Sequence, residues 1–234
     1  VRQMFNRAIS WKMYHGTNPV TATARENKKF LRTADNKRVR FLSHEEANLL
    51  LSDLKSRSQQ LHDICQLSLY TGMRMGEVFG LNWNDIDLEH GNISIKDPKS
   101  GVSRNVYVTD PLKRMFQRIK ANTSRARGLV FKDKKGNKIR EISNVFDRAV
   151  EKLGFNKDVT DRRDKVVAHT LRHTFASWLA MQGEPIITIQ KLMGHSNLEM
   201  TLRYAHLSPS HERTAVEKLA RDKHKKVINL KTKN

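Results

Sequence analysis

Apolar residues recur three and four positions apart through most of this chain and alternate in only one stretch, so helices should dominate. From Ser43 the rhythm is helical, with Ala47, Leu50, Leu51 and Leu54 on one face. Ser43 stands where an N-cap belongs and Glu46 follows three residues on, the two halves of a capping box. A second helix is predicted near 57–71, ending at Thr71-Gly72, and a short one from about Arg74 to Leu81. Alternation appears in Asn92-Ile93-Ser94-Ile95 and in Arg104-Asn105-Val106-Tyr107-Val108. The turn-rich Asp97-Pro98-Lys99-Ser100-Gly101 lies between them, which is a hairpin signature. Helices follow at roughly 110–121, 142–153, 169–182, 185–193 and 197–207. Pro185 suits the first turn of its helix and Gly194 suits its C-terminal stop. Asn197 reads as the cap of the last of these, with Leu198, Leu202 and Ala205 inward and Tyr204 off the core face. The expected fold class is mainly α with a small antiparallel β-hairpin or sheet (α+β).

The two ends read differently. Met4, Phe5, Ala8, Ile9 and Met13 form an apolar stripe in a chain that starts, at Val1, already in helical rhythm. Residues 1–15 therefore read as the last helix of something upstream, and the chain as a fragment lacking an N-terminal region. Residues 16–40 carry many cations and few apolar groups, which suits an extended linker along a phosphate backbone or a solvated joint. A short helix is expected near 209–221, before the basic tail Lys223-His224-Lys225-Lys226-Val227-Ile228-Asn229-Leu230.

Charge narrows the partners. The 234 residues are 38% hydrophobic, enough for a proper core, yet carry a net charge of +20 and a pI near 10.3. Such a surface concentrates polyanions, with DNA or RNA first. No apolar run approaches 18 residues, and no long basic amphipathic helix carries Trp or Phe on one face, so neither a spanning nor a membrane-surface protein is indicated. The lone cysteine, Cys65, sits among Leu61, Ile64 and Leu69, as a buried structural thiol would, and agrees with a reducing compartment.

Three dense polar runs remain. His169 and His173 have the spacing of metal ligands on a helix, but no Glu lies between them and Arg172 does. A permanent cation beside a dication is unfavourable, so no metal is expected, and His173 reads as a buried, hydrogen-bonded histidine. There is no Gly-x-Ser-x-Gly elbow and no phosphate loop, which argues against a serine hydrolase and ATP-driven chemistry. Arg74 follows Thr71-Gly72-Met73 at a helix start, where a guanidinium fork can meet a phosphate, and Glu77 one turn on can steady it. Lys99 at the hairpin tip is by default a solvated lysine among 44 basic residues.

Together, these runs resemble the catalytic domain of the tyrosine recombinases, the phage-integrase-like site-specific recombinases. The resemblance is carried by Thr71-Gly72-Met73-Arg74-Met75-Gly76-Glu77, by Lys99 with Gly101, Arg104 and Val106, by His169-Thr170-Leu171-Arg172-His173-Thr174, by Leu192-Met193-Gly194-His195 and by Tyr204, and covers about residues 41–208. Tyr107 departs from it, standing where proline is common. The resemblance implies the recombinase catalytic fold over 41–208. Residues 1–40 would be the end of an upstream core-DNA-binding domain plus linker, and 209–234 a helix and tail that pack on a neighbouring protomer or stay disordered. It further implies metal- and ATP-independent strand transfer without a cofactor. Tyr204 would be the nucleophile, Arg74 and Arg172 the phosphate-binding cations, His169 the proton acceptor, His195 a hydrogen-bond donor to the phosphate and Lys99 the acid for the leaving oxygen. Glu77 and His173 would support them. The implied partners are double-stranded DNA sites, three further protomers in a tetramer on synapsed DNA, and accessory DNA-bending proteins, in the cytoplasm at the nucleoid of a prokaryote. A type IB topoisomerase or telomere resolvase using the same groups, or a non-catalytic DNA-binding relative, are the alternatives.

Overall fold

The computed structural model describes residues 1–21, 40–96, 101, 103–123, 126–209 and 216–217. The chain separates into two units, Val1–Arg38 and Val39–Asn234. In the first, helix α1 (Arg2–Ser10) ends at Trp11. Asn18 folds the next segment back on it by donating to the carbonyl of Arg2 (2.8 Å) and to Asn6 Oδ1 (2.6 Å). Phe5 meets Tyr14 edge-on, while Met4 and Met13 of the predicted stripe are exposed.

The second unit is built on two consecutive helices, α2 (His44–Arg57) and α3 (Gln59–Thr71). The predicted capping box is present: Ser43 Oγ accepts from Glu46 N at 3.1 Å, and Glu46 returns the bond to Ser43 N at 2.9 Å. α3 has apolar residues on several faces because it serves two cores. Leu61, Cys65 and Leu69 pack with α2 (Leu50, Leu54), with α6 (Val145–Lys152; Phe146, Ala149) and with Leu171. Ile64 and Leu67 pack instead with Met73, with Phe79 of α4 (Met75–Phe79), with the sheet and with Phe116 of α5 (Asp110–Ala121). Fully burying each such leucine or isoleucine contributes about 1.5–3 kcal/mol, so α3 is held from both sides.

The sheet has antiparallel order β1-β2-β3, with β1 (Ile86–Asp87), β2 (Asn92–Ile95) and β3 (Arg104–Tyr107). The hairpin register pairs Ile93 with Val106 and Ile95 with Arg104. Strand β1, only two residues long, has no alternation to betray it in the sequence. Helix α7 (Ala168–Met181) is fastened to the start of α2 by two distant bonds. Thr174 Oγ1 accepts from Leu42 N, and Trp178 Nε1 donates to Leu42 O, both at 3.0 Å.

The C-terminal part corrects one expectation. After α8 (Ile186–Met193) comes no continuous helix over 197–207 but a four-residue α9 (Glu199–Leu202) and a 3-10 turn at Ala205–Leu207. The break rotates the side chains that follow. Tyr204 is buried, 4% exposed, with Ala176, Ala180, Ile189 and Met193, while Leu202 is 50% exposed. Of the helix expected near 209–221, residues 209, 216 and 217 are among the described residues, and of these 216–217 are helical. The tail and the linker over 22–39 lie outside them.

Candidate active site

The site forms where three segments distant in sequence meet the C-terminal end of α8. α3 stops at Gly72, whose φ of +66° is a left-handed conformation that suits glycine. A Cβ there would also lie 2.5 Å from the Phe175 ring. The turn that follows delivers Arg74 to the N-cap position of α4. The Glu77 carboxylate accepts from Arg74 N (2.9 Å) and Arg74 Nη1 (3.0 Å), so one side chain caps the helix and orients the arginine. Arg172 lies on α7 and is 2% exposed. Its two Nη atoms donate to the carbonyls of Gly72 and Met193.

A third arginine joins them. Arg104 on β3 forks onto Glu77, Nη1 to Oε1 at 3.1 Å and Nη2 to Oε2 at 2.8 Å, and its Nε donates to Leu192 O at 3.0 Å. Arg74 Nη2 reaches Gly194 O at 3.5 Å. The consecutive carbonyls of Leu192, Met193 and Gly194 thus each accept from a different arginine. Carbonyls left unpaired at a helix end carry its negative dipole, which is why this end can gather cations. Gly194 makes the turn with φ +60°, and a Cβ there would lie 2.8 Å from Arg104 Cδ and Nη1.

The cluster shifts the titration of Arg172, Glu77, His195 and Tyr204. Burial, then the charges of Arg74 and Arg104, lowers Arg172 to about 9, so it stays protonated at neutral pH. Burial works to raise the Glu77 carboxyl, and its bonds to Arg104 and Arg74 outweigh this and hold it below the usual carboxylate range. His195 is buried, and its Nδ1 lies 2.9 Å from Thr201 Oγ1. Burial, then Arg172, Arg74, Arg203 and Arg104, lowers the ring to about 3, so His195 is neutral at pH 7. Burial raises the Tyr204 phenol to about 12, against the pull of Arg203 and Arg172. Its hydroxyl lies 2.6 Å from His173 Nδ1. His169, exposed one turn earlier on α7, meets the His173 ring edge-on with centroids 4.8 Å apart.

Arg74, Glu77, Arg172, His195, His173 and Tyr204 are therefore brought together, with His169 at the margin. Lys99 lies outside the described residues. Tyr204 does not point away from the core as expected, because the helix assumed around it breaks after Leu202. Cys65 is fully buried, and burial pushes its thiol up, as suits a structural thiol. Three residues given no role from the sequence also belong here: Arg104, Thr201 and Arg203, whose buried Nε has no hydrogen-bond partner among the described residues. Arg104 did leave a signal. In a strand of period two it shares a face with buried Val106, and a cation on a buried face calls for a carboxylate. Beside Arg74 opens a cleft of about 490 Å³, lined by Glu77, Gly80, Asp85, Lys96 and Lys138 among others. Among the described residues no three His, Cys, Asp or Glu side chains gather as metal ligands, and no helix is long and apolar enough to cross a membrane.

The phage integrase family model matches residues 40–211. The integrase of Salmonella phage P22 is 31% identical over 189 residues, 75% of this chain and 46% of that protein. The solved catalytic domain of bacteriophage HP1 integrase is 30% identical, with a TM-score of 0.59, over 76% of this chain and 93% of that one. The Tn1549 transposon integrase, solved with circular intermediate DNA, shares the fold at 22% identity and a TM-score of 0.69, over 94% of this chain and 76% of that one. The chain spans about half the length of the curated relatives it matches.

Proposed function

We propose, from the premise that this chain belongs to the phage integrase family, that it cleaves and rejoins DNA at specific sites through a 3′-phosphotyrosyl bond to Tyr204. The observation that carries the reading is the convergence of Arg74, Arg172 and His195 on one helix end, within electrostatic reach of a buried tyrosine. Attack on a phosphodiester adds negative charge to its non-bridging oxygens. Arg172 remains charged, and each of its Nη atoms carries a second N–H beyond the one given to a carbonyl. With Arg74 it offers a preorganised fork to that charge, and a single such donor is typically worth about 10²–10³ in rate. A neutral His195 that accepts the Thr201 hydroxyl hydrogen at Nδ1 carries its own hydrogen on Nε2, ready to donate to the phosphate.

In the cleavage step the Tyr204 oxygen bonds to phosphorus and the bond to the 5′-oxygen breaks. The phenol proton passes to His169, and Lys99 protonates the departing oxygen. One phosphoester replaces another, so neither ATP nor a metal cofactor is required by the balance of the reaction. With its phenol near 12, Tyr204 holds its proton at rest, and its bond to His173 belongs to that resting arrangement. The hydroxyl must leave it to reach a phosphate.

The substrate is double-stranded DNA. The net charge of +20 and the cleft between Arg74, Lys96 and Lys138 support this, as does the family: the XerH recombinase has been solved bound to its difH substrate. We further assign the catalytic domain to 41–208, and a role at the partner protomer to 209–234, in a tetramer on two synapsed duplexes at the nucleoid, assisted by DNA-bending proteins.

Covalent capture tests the proposal. A pool of nicked duplexes of randomised sequence, incubated with the chain and denatured, should yield a protein–DNA adduct that survives chelator. Tyr204→Phe should bind the selected duplex and form no adduct. An adduct that persists in this variant, or maps to Tyr70 or Tyr107, refutes the assignment.

A further inference from the structure

We infer that Arg104 is a positioning residue for cleavage: through Glu77 it holds Arg74 available to the phosphate, and through Leu192 it fixes the turn that leads to His195. The inference rests on the recombinase reading above and adds to it a residue outside the groups that touch substrate.

The geometry separates Arg104 from its neighbours. Its side chain is 5% exposed, and all three of its guanidinium nitrogens are engaged, two by Glu77 and one by Leu192 O. It is therefore poorly placed to bind a phosphate itself. The Glu77 carboxylate is shared evenly: Oε1 accepts from Nη1 of both arginines, and Oε2 accepts from Arg104 Nη2 and Arg74 N. Among the described residues here, Arg74, Arg104, Arg172 and Arg203 face the one carboxylate of Glu77, an excess of positive charge where an anion is to bind. Removal of Arg104 reduces that excess and releases a largely buried carboxylate whose other ion-pair partner among the described residues is Arg74. Glu77 would then neutralise the arginine that it now orients. The same loss frees Leu192 O, two residues before Gly194 and three before His195. Because Arg104 lies on β3, this one side chain also ties the hairpin to both.

Charge and fork can be separated. Arg104→Lys keeps the charge and loses the bidentate geometry, and Arg104→Met keeps the buried stem and loses both. Using a nicked duplex selected by covalent capture on the wild-type chain, single-turnover adduct formation should fall about 10²-fold in Arg104→Met, the loss typical of a misplaced reacting group. Duplex affinity should fall far less than the rate, since the remaining phosphate contacts are kept, and Arg104→Lys should lie between. Guanidinium chloride, against equal sodium chloride, should restore part of the rate in Arg104→Met, which a misfolded variant would not show. In a double-mutant cycle with Glu77→Gln, the combined loss should be smaller than the product of the single losses, since both variants act on Arg74 through the shared carboxylate and only the Leu192 contact is separate to Arg104. Losses that multiply in full would mean that Arg104 does not act on Arg74 through Glu77 and would overturn the inference, as would an Arg104→Met variant that cleaves at the wild-type rate. A wild-type chain that captures no duplex would overturn the recombinase reading and this inference with it.

Discussion

Gly194→Ala probes the packing of the site at a single atom. Two penalties add. A Cβ at φ +60° places an L-residue in the left-handed region, which costs about 1–2 kcal/mol. The new methyl would also lie 2.8 Å from Arg104 Cδ and Nη1 and 3.1 Å from Cζ. An arginine tip usually swings aside at little expense. This one is 5% exposed and hydrogen-bonded to Glu77 and Leu192, so the overlap should be relieved only by breaking those bonds or shifting the turn. Overpacking of this kind costs about 1–3 kcal/mol, which brings the expected loss to about 2–5 kcal/mol. Gly154→Ala is the internal control, with φ +69° and no heavy atom within 4 Å of the place its methyl would occupy. It should lose only the conformational part, about 1–2 kcal/mol. Urea denaturation followed by far-ultraviolet circular dichroism, with midpoints compared at constant m, measures both. If the two variants lose the same stability, Arg104 is not seated against Gly194, and the three-carbonyl arrangement at the end of α8 is wrong.

His195 stays neutral in the folded chain down to about pH 3, whereas a free histidine titrates near ~6.5, so on acidification the unfolded chain takes up the proton first. The stability contributed by its lowered pKa is complete above ~6.5 and is lost as pH falls toward 3, by up to about 1.4 kcal/mol per unit; His195→Asn should therefore lose less stability than wild type between pH 6.5 and 5, and parallel curves would refute the shift. His173→Leu should destabilise by about 1–3 kcal/mol by leaving the buried Tyr204 hydroxyl unpaired, and adding Tyr204→Phe should recover part of that loss; additive losses would show that the 2.6 Å bond is not made in solution. DNA binding should weaken steeply with salt, with a log–log slope near −5 for about six phosphate contacts, and Lys138→Ala should make it shallower by about 1 if the cleft beside Arg74 carries a backbone phosphate; an unchanged slope places the strand elsewhere.

Features determined within a few residues were legible in the sequence. The capping box at Ser43 and Glu46, the stops at Gly72 and Gly194, and the hairpin halves at 92–95 and 104–107 each rest on neighbours in the chain, and each is present. The polar runs around Arg74, Arg172 and His195 were legible through their resemblance to the tyrosine recombinases, since each alone reads as an ordinary surface or helix-end residue. What the sequence could not decide is where partners distant in the chain meet. Arg104 finds Glu77 27 residues away and Leu192 88 residues away, and Arg172 finds Gly72 100 residues away. No periodicity encodes those pairings, since they arise when α8 docks its carbonyl end against β3 and α7. The fate of Tyr204 was likewise tertiary. Its local pattern allows one more helical turn, which would turn the ring outward. The stretch instead breaks after Leu202, because folded this way the phenol gains a buried site among Ala176, Ile189 and Met193 and a partner in His173. Burial of that ring outweighs the hydrogen bonds of one helical turn, and only the packed neighbours could tip that balance.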